Sequence, residues 1–193
     1  DLQEQEQIDQ LKAFWNQYGN LITWTLILAL SGFAAWNGWN WWQRDQAAKA
    51  SAMFDQLDRA AQAGDAERAA RIFSDLKERF PRTAYAQQGA LLTARVQAEK
   101  AQPDAALATL AWAADNAGED EYRAIARLRA AGLLLDKKQD EQALAQLDGA
   151  AQGKSAKAFE ALLADRRGDV LLAQGKKDEA RQAYESAYRA MDD

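Results

Sequence analysis

Between Ala13 and Gln43 the chain carries no charged residue. The heart of that run, LITWTLILALSGFAAWNGWNWW from Leu21 to Trp42, is 22 residues long. An α-helix rises about 1.5 Å per residue, so about 20 residues cover the roughly 30 Å hydrocarbon layer of a bilayer. Trp36, Trp39, Trp41 and Trp42 crowd its C-terminal end, where an amphipathic ring sits best between acyl chains and headgroups. The run predicts one transmembrane helix over 21–42, with Leu21, Trp24, Leu28, Gly32, Trp36, Trp39 and Trp42 as anchor residues. Everything after it is charged and alanine-rich, so the chain reads as an anchor holding one domain over 43–193.

Two other readings fit less well. A soluble core helix of this length usually carries some charge and does not bear tryptophans at both ends. A cleaved signal peptide has a basic start and an apolar core of about 7–15 residues. Here the start is acidic, with Asp1, Glu4, Glu6 and Asp9 against Lys12, although Ala48-Lys49-Ala50 offers a cleavage-like site. Residues 1–20 are not featureless, because Ile8, Leu11, Phe14, Trp15 and Tyr18 recur at helical spacing. That segment is expected to be partly helical, lying along headgroups or extending the anchor. Lys12 precedes the span, and Arg44, Lys49 and Arg59 follow it, which by the positive-inside rule favours a cytoplasmic domain. Long domains translocate largely regardless of that rule. Within the span, Ala34 and Gly38 form a small-xxx-small pair that would let another helix approach, with Asn37 and Asn40 nearby.

Composition excludes several kinds of chemistry. The chain has neither cysteine nor histidine, which removes thiol catalysis, disulfides, histidine acid–base work and the usual zinc sites. Carboxylates do cluster, as in Glu119-Asp120-Glu121 and Asp192-Asp193, but in no calcium-loop pattern. No phosphate-binding or nucleophile motif occurs. We expect no enzyme activity, catalytic residue, metal or cofactor. The net charge is −5. Residues 1–42 hold one lysine and four acids, which leaves 23 basic and 25 acidic residues, or −2, on the domain. That is no surface for displacing phosphate counterions, so no nucleic acid is expected.

The domain repeats. Ala69, Ala106, Ala143 and Ala180 stand 37 residues apart. Four residues after each come Phe73, Leu110, Leu147 and Tyr184, and seven after each come Leu76, Ala113, Ala150 and Ala187. Two before each is an acid, Glu67, Asp104, Glu141 or Asp178. Ala94, Ala131 and Gly168 keep the same register upstream. With two prolines and few β-branched residues, this predicts an all-α stack of helix-turn-helix units in which small residues bring two helices together. The acid falls in the first turn of the second helix, where the helix dipole favours it.

The last unit, Ala161 to Asp193, resembles a tetratricopeptide repeat at Gly168, Leu171, Gly175, Ala180, Tyr184 and Ala187. It departs at Ala164, where a tryptophan is usual, and at Arg167 before the glycine. The first unit, about 50–82, keeps Gly64, Ala69, Phe73 and Pro81 but has Leu57 at the glycine position. A period of 37 rather than the family's roughly 34 implies longer turns between units. The resemblance also implies a groove lined by the first helix of each unit, here at Phe54, Asp58, Leu91, Arg95, Ile125, Leu128, Asp165 and Asp169.

The stretch QIDQLKAFWNQYGNLITWTLILALSGFAAWNGWNWWQRDQAAKAS, with the later LLADRRGDVLLAQGKKDEARQAYESA, is similar to the ancillary Sec-translocon subunit family of Gram-negative bacteria, the YfgM type. That resemblance covers nearly the whole chain. It implies a single-pass inner-membrane protein with a cytoplasmic N-terminus and a periplasmic repeat domain, against the charge count. The implied partners are the SecY–SecE–SecG channel, a membrane-anchored periplasmic chaperone of the prolyl-isomerase type, and nascent secreted chains. A tetratricopeptide-like scaffold of another envelope assembly, for cytochrome maturation or division, shares the same architecture with a different partner. A homo-oligomer fits as well.

Overall fold

The computed structural model describes residues 2–192, with side chains from 8 to 191. Asp1 and Asp193 lie outside the described residues, as do the side chains of Glu4, Glu6 and Asp192. The described chain is helical: α1 (Leu2–Gln62), α2 (Ala66–Arg79), α3 (Ala84–Glu99), α4 (Pro103–Asn116), α5 (Asp120–Asp136), α6 (Asp140–Ala151), α7 (Glu160–Ala173) and α8 (Lys177–Asp192). A single 3-10 turn, Ala156–Phe159, precedes α7. The chain divides into two compact units, Asp1–Asp45 and Gln46–Asp193.

The first unit is helical throughout its described residues, so the segment before the apolar run continues the same helix. Three of its polar side chains bond back to their own helix backbone. Thr23 Oγ1 donates to the Gly19 carbonyl at 2.7 Å, Thr25 Oγ1 to Leu21 at 2.8 Å, and Asn37 Nδ2 to Phe33 at 3.2 Å. Such bonds matter where no water can solvate a polar group. Trp15 folds over Gly19, with indole atoms 3.2 Å from where a β-carbon would stand.

In the second unit, the end of α1 and helices α2 to α8 form four antiparallel pairs. Each helix packs on the next from α2 to α8, and α3, α5 and α7 also touch in series. The repeat positions carry that packing. Ala69, Ala106, Ala143 and Ala180 are all buried, as are Leu76, Ala113, Ala150 and Ala187. A methyl group there lets two helix backbones approach more closely than a large side chain would. Three of the large residues four positions on, Phe73, Leu110 and Leu147, fill the space between pairs. Phe73 meets the edge of Trp112 at 5.2 Å between ring centroids, while Leu110 and Leu147 are almost wholly buried. Leu57, at the first unit's glycine position, is buried in the same cluster as Phe73, Leu91 and Leu110.

Asp65 caps α2 by accepting from Arg68 N at 2.9 Å, and Thr83 caps α3 through Ala86 N. Pro103 opens α4, where its missing N–H costs nothing. The expected acids do occupy first turns: Glu67, Asp104, Glu141 and Asp178.

The longer turns implied by the 37-residue period are mostly absent. Within the pairs, the chain turns over 63–65, 100–102, 137–139 and 174–176, three residues each time. Between pairs it uses 80–83 and 117–119, and only 152–159 is long. Elsewhere the period is taken up by helix, with α3 and α5 at 16 and 17 residues.

The four inner turns share one conformation. Gly64, Ala101, Lys138 and Gly175, also 37 apart, have φ of +66°, +57°, +58° and +77°. After each, the next amide reaches back five residues, as in Gln102 N to Gln97 O and Gln139 N to Leu134 O, both near 2.9 Å. These are Schellman closures, which satisfy the last carbonyls of the first helix.

Candidate protein-binding groove

Helices α3, α5 and α7 stand side by side because each leads a pair. Between them runs a groove of about 580 Å³. Ile125, Leu128, Leu133, Phe159 and Leu162 give it an apolar floor, and Arg95, Arg129 and Arg166 with Glu99, Asp136 and Asp165 its charges.

Of the residues expected to line a groove, Arg95, Ile125, Leu128 and Asp165 are brought together here. Leu91 lies in the buried core instead. Asp169 is occupied, accepting from Tyr184 Oη at 2.9 Å and from Arg166 Nη1 at 3.1 Å. Phe54 and Asp58 belong to α1, where Phe54 packs on the Tyr85 ring and Asp58 accepts from Gln62. The floor residues Phe159 and Leu162 were not anticipated, since Phe159 depends on the long connector before α7. Arg129 had a signal that went unread, because Arg166 stands 37 residues later on the next leading helix.

The charges of the groove are unequally satisfied. Arg95 Nε is 3.7 Å from Glu99 Oε1, and Arg166 pairs with Asp169. Arg129 donates from Nη1 to the Leu91 carbonyl at 3.1 Å and forms no ion pair among the described residues. Partial burial, then the charge of Arg95, lowers its pKa from the usual guanidinium value. Two ion pairs, Lys137 with Asp104 and Arg167 with Asp148, clamp α5 to α4 and α7 to α6.

In the first unit, the residues expected to form an anchor, Leu21, Trp24, Leu28, Trp36, Trp39 and Trp42, are all exposed. Nothing approaches within 4 Å of the β-carbon positions of Gly32 and Gly38, and Ala34 is exposed one turn before Gly38. Trp39 and Trp42 stack as a tilted pair at 5.2 Å. By length and composition α1 can cross a membrane. So large an open apolar surface is foreign to a soluble monomer.

No characterised protein matched the chain in a sequence comparison. A family model described as a tetratricopeptide repeat-like domain matches residues 12–193, taking in the apolar run as well as the repeats. Domains of this kind are protein-interaction scaffolds. With the paired helices, the 37-residue register and the groove along the leading helices, the match establishes that the chain belongs to the tetratricopeptide repeat-like domain family.

Proposed function

We propose that the protein is a non-enzymatic ancillary subunit of the Sec translocon. In this reading it is a single-pass protein of the bacterial inner membrane. Residues 21–42 cross the bilayer, the N-terminus is cytoplasmic and the repeat array is periplasmic. The array links the SecY–SecE–SecG channel to a membrane-anchored chaperone of the prolyl-isomerase type and helps secreted or membrane proteins emerge. It needs no cofactor, because the array works by holding partners side by side.

One observation carries the reading. An exposed, tryptophan-flanked apolar helix and a tetratricopeptide-like array fall within a single family match over 12–193. The sequence likeness to the YfgM type adds the partner. The Ala34 and Gly38 face, open on α1, is the proposed contact with a channel helix.

Photo-cross-linking in living cells tests this directly. A photoreactive residue at Ala34, Gly38 or Trp42 is expected to capture a channel subunit. Capture of cytochrome-maturation or division components in its place would transfer the same scaffold to another envelope machine and overturn the Sec assignment.

A further inference from the structure

Helices α5 and α7 each border a slot that the 37-residue register makes comparable. The first slot lies among α4, α5 and α6 and is lined by Ala114, Asp120, Arg123, Arg127 and Gly149. The second lies among α6, α7 and α8, and Ala151, Lys157, Glu160, Ala164 and Ser186 stand at the same five positions. The two differ in how far they are filled. In the first, Arg127 reaches across from α5 and lays its guanidinium on Gly149 of α6, with Cζ 3.1 Å from the β-carbon position there. That slot measures about 160 Å³. In the second, the side chain of Ala164 ends at one carbon, and the slot measures about 630 Å³.

The wider slot suits a long side chain with a cationic end. Leu163 and Leu171 give it an apolar inner wall. Glu160 and Glu179 stand on its lining, where the register puts Arg123 and Gln142 one repeat earlier. Neither carboxylate forms an ion pair among the described residues. Of the two cations in the lining, Arg167 is bound to Asp148, so Lys157 alone stands against two acids. The surplus is negative. An aliphatic stem lies well along leucine side chains while its charged head stays near water and carboxylates, and arginine has both parts. Ser186 at the Gly149 position holds such a head farther out than that of Arg127, where its hydroxyl is an acceptor. An acidic segment would meet Glu160 and Glu179 instead.

We propose that this slot takes an arginine side chain offered by a partner polypeptide, which supplies from outside what Arg127 supplies from within at the preceding junction. The inference rests on the reading of the array as a partner-binding scaffold. It gives that scaffold a second contact surface, because the slot shares no lining residue with the groove along α3, α5 and α7.

The test uses the full chain in phosphatidylcholine nanodiscs and two fluorescent peptide libraries of equal leucine content, capped at both ends. One carries a central arginine and the other its neutral isostere citrulline. Fluorescence anisotropy is expected to show the arginine peptides binding about fivefold more tightly, the order given by one exposed ion pair. Glu160→Gln combined with Glu179→Gln removes that preference. Both side chains are exposed, so this variant keeps the fold and serves even where a change at Ala164 does not. Ala164→Arg fills the slot as Arg127 does and blocks the arginine peptides. Ala164→Met blocks them with an uncharged chain, which separates filling from repulsion. Leu162→Asp, in the other groove, leaves them bound. Equal affinities, a preference that survives the double variant, binding that survives both changes at Ala164, binding lost on Leu162→Asp, or no saturable binding overturns the proposal. Self-association of the chain that competes with the peptides puts a second copy in the slot and also overturns it. Cross-linking from the anchor is independent of Ala164, so failure here leaves the translocon reading to its own test.

Discussion

The ring of Tyr184 lies against the bare backbone of Gly168, with Cε1 2.5 Å from where a β-carbon would stand. The same tyrosine donates to Asp169, the residue next to that glycine. A small residue on α7 and a large one on α8 thus fix the last pair by one close approach and one hydrogen bond. Gly168→Ala is expected to push the ring aside and cost about 1–3 kcal/mol of stability, the usual range for overpacking. Tyr184→Phe keeps the ring and loses only the bond, about 1 kcal/mol. Urea titration followed by circular dichroism separates the two.

The same tyrosine makes stability depend on pH. Burial first, then the bond to Asp169, raises the Tyr184 pKa above its ordinary 10.0. A proton held more tightly in the folded state stabilises it, fully so below the unfolded pKa of about 10. That increment is lost as pH rises through the raised value. The melting temperature of the native chain should therefore fall towards that of Tyr184→Phe as pH rises above the ordinary tyrosine value of 10.0.

Two of the four inner turns place a β-carbon in the left-handed region, at Ala101 and Lys138. That conformation costs a residue other than glycine about 1–2 kcal/mol. Part of that cost is offset by the greater freedom glycine gives the unfolded chain. Ala101→Gly and Lys138→Gly are expected to raise stability by about 0.5–1 kcal/mol each. Gly175→Ala should lower it by a similar amount. Thermal melts of the three variants provide the comparison.

The Thr93 hydroxyl is fully buried and has no hydrogen-bond partner among the described residues. Thr93→Val keeps the shape and removes the stranded group. A gain of about 1 kcal/mol is expected, since an unsatisfied buried polar group costs about that or more. Chemical denaturation measures it. A loss would mean that the hydroxyl is bonded in solution.

Six of the seven tryptophans, all but Trp112, fall within residues 1–45. Trp112→Phe therefore leaves a chain whose fluorescence reports on α1 alone. In liposomes with brominated lipids, bromines near the headgroups should quench it more than bromines at the bilayer centre, because four of the six lie between Trp36 and Trp42. The opposite order would remove those tryptophans from the interface.

The helix pairs were legible because close contacts admit few residue types. Ala69, Ala106, Ala143 and Ala180 sit where two backbones meet, and a larger side chain cannot replace them without moving a helix. The recurring left-handed turn has the same spacing but was not legible, since alanine and lysine occupy two of its four positions. The groove was partly legible. Ile125 and Leu128 follow from the register on α5, whereas Leu91 shares that register and is turned into the core. Arg129 differs from its groove neighbours Arg95 and Arg166 in having no ion pair among the described residues, and a missing partner leaves no mark in a one-dimensional pattern.

The connector over 152–159 is the one place where the spacing of helix pairs is not set by a short turn. It also delivers Phe159 to the groove floor. The width of the binding channel is thus adjustable through a stretch of chain that no repeat position constrains. Residues inserted or removed there would retune which partner fits while every helix pair keeps its own internal contacts.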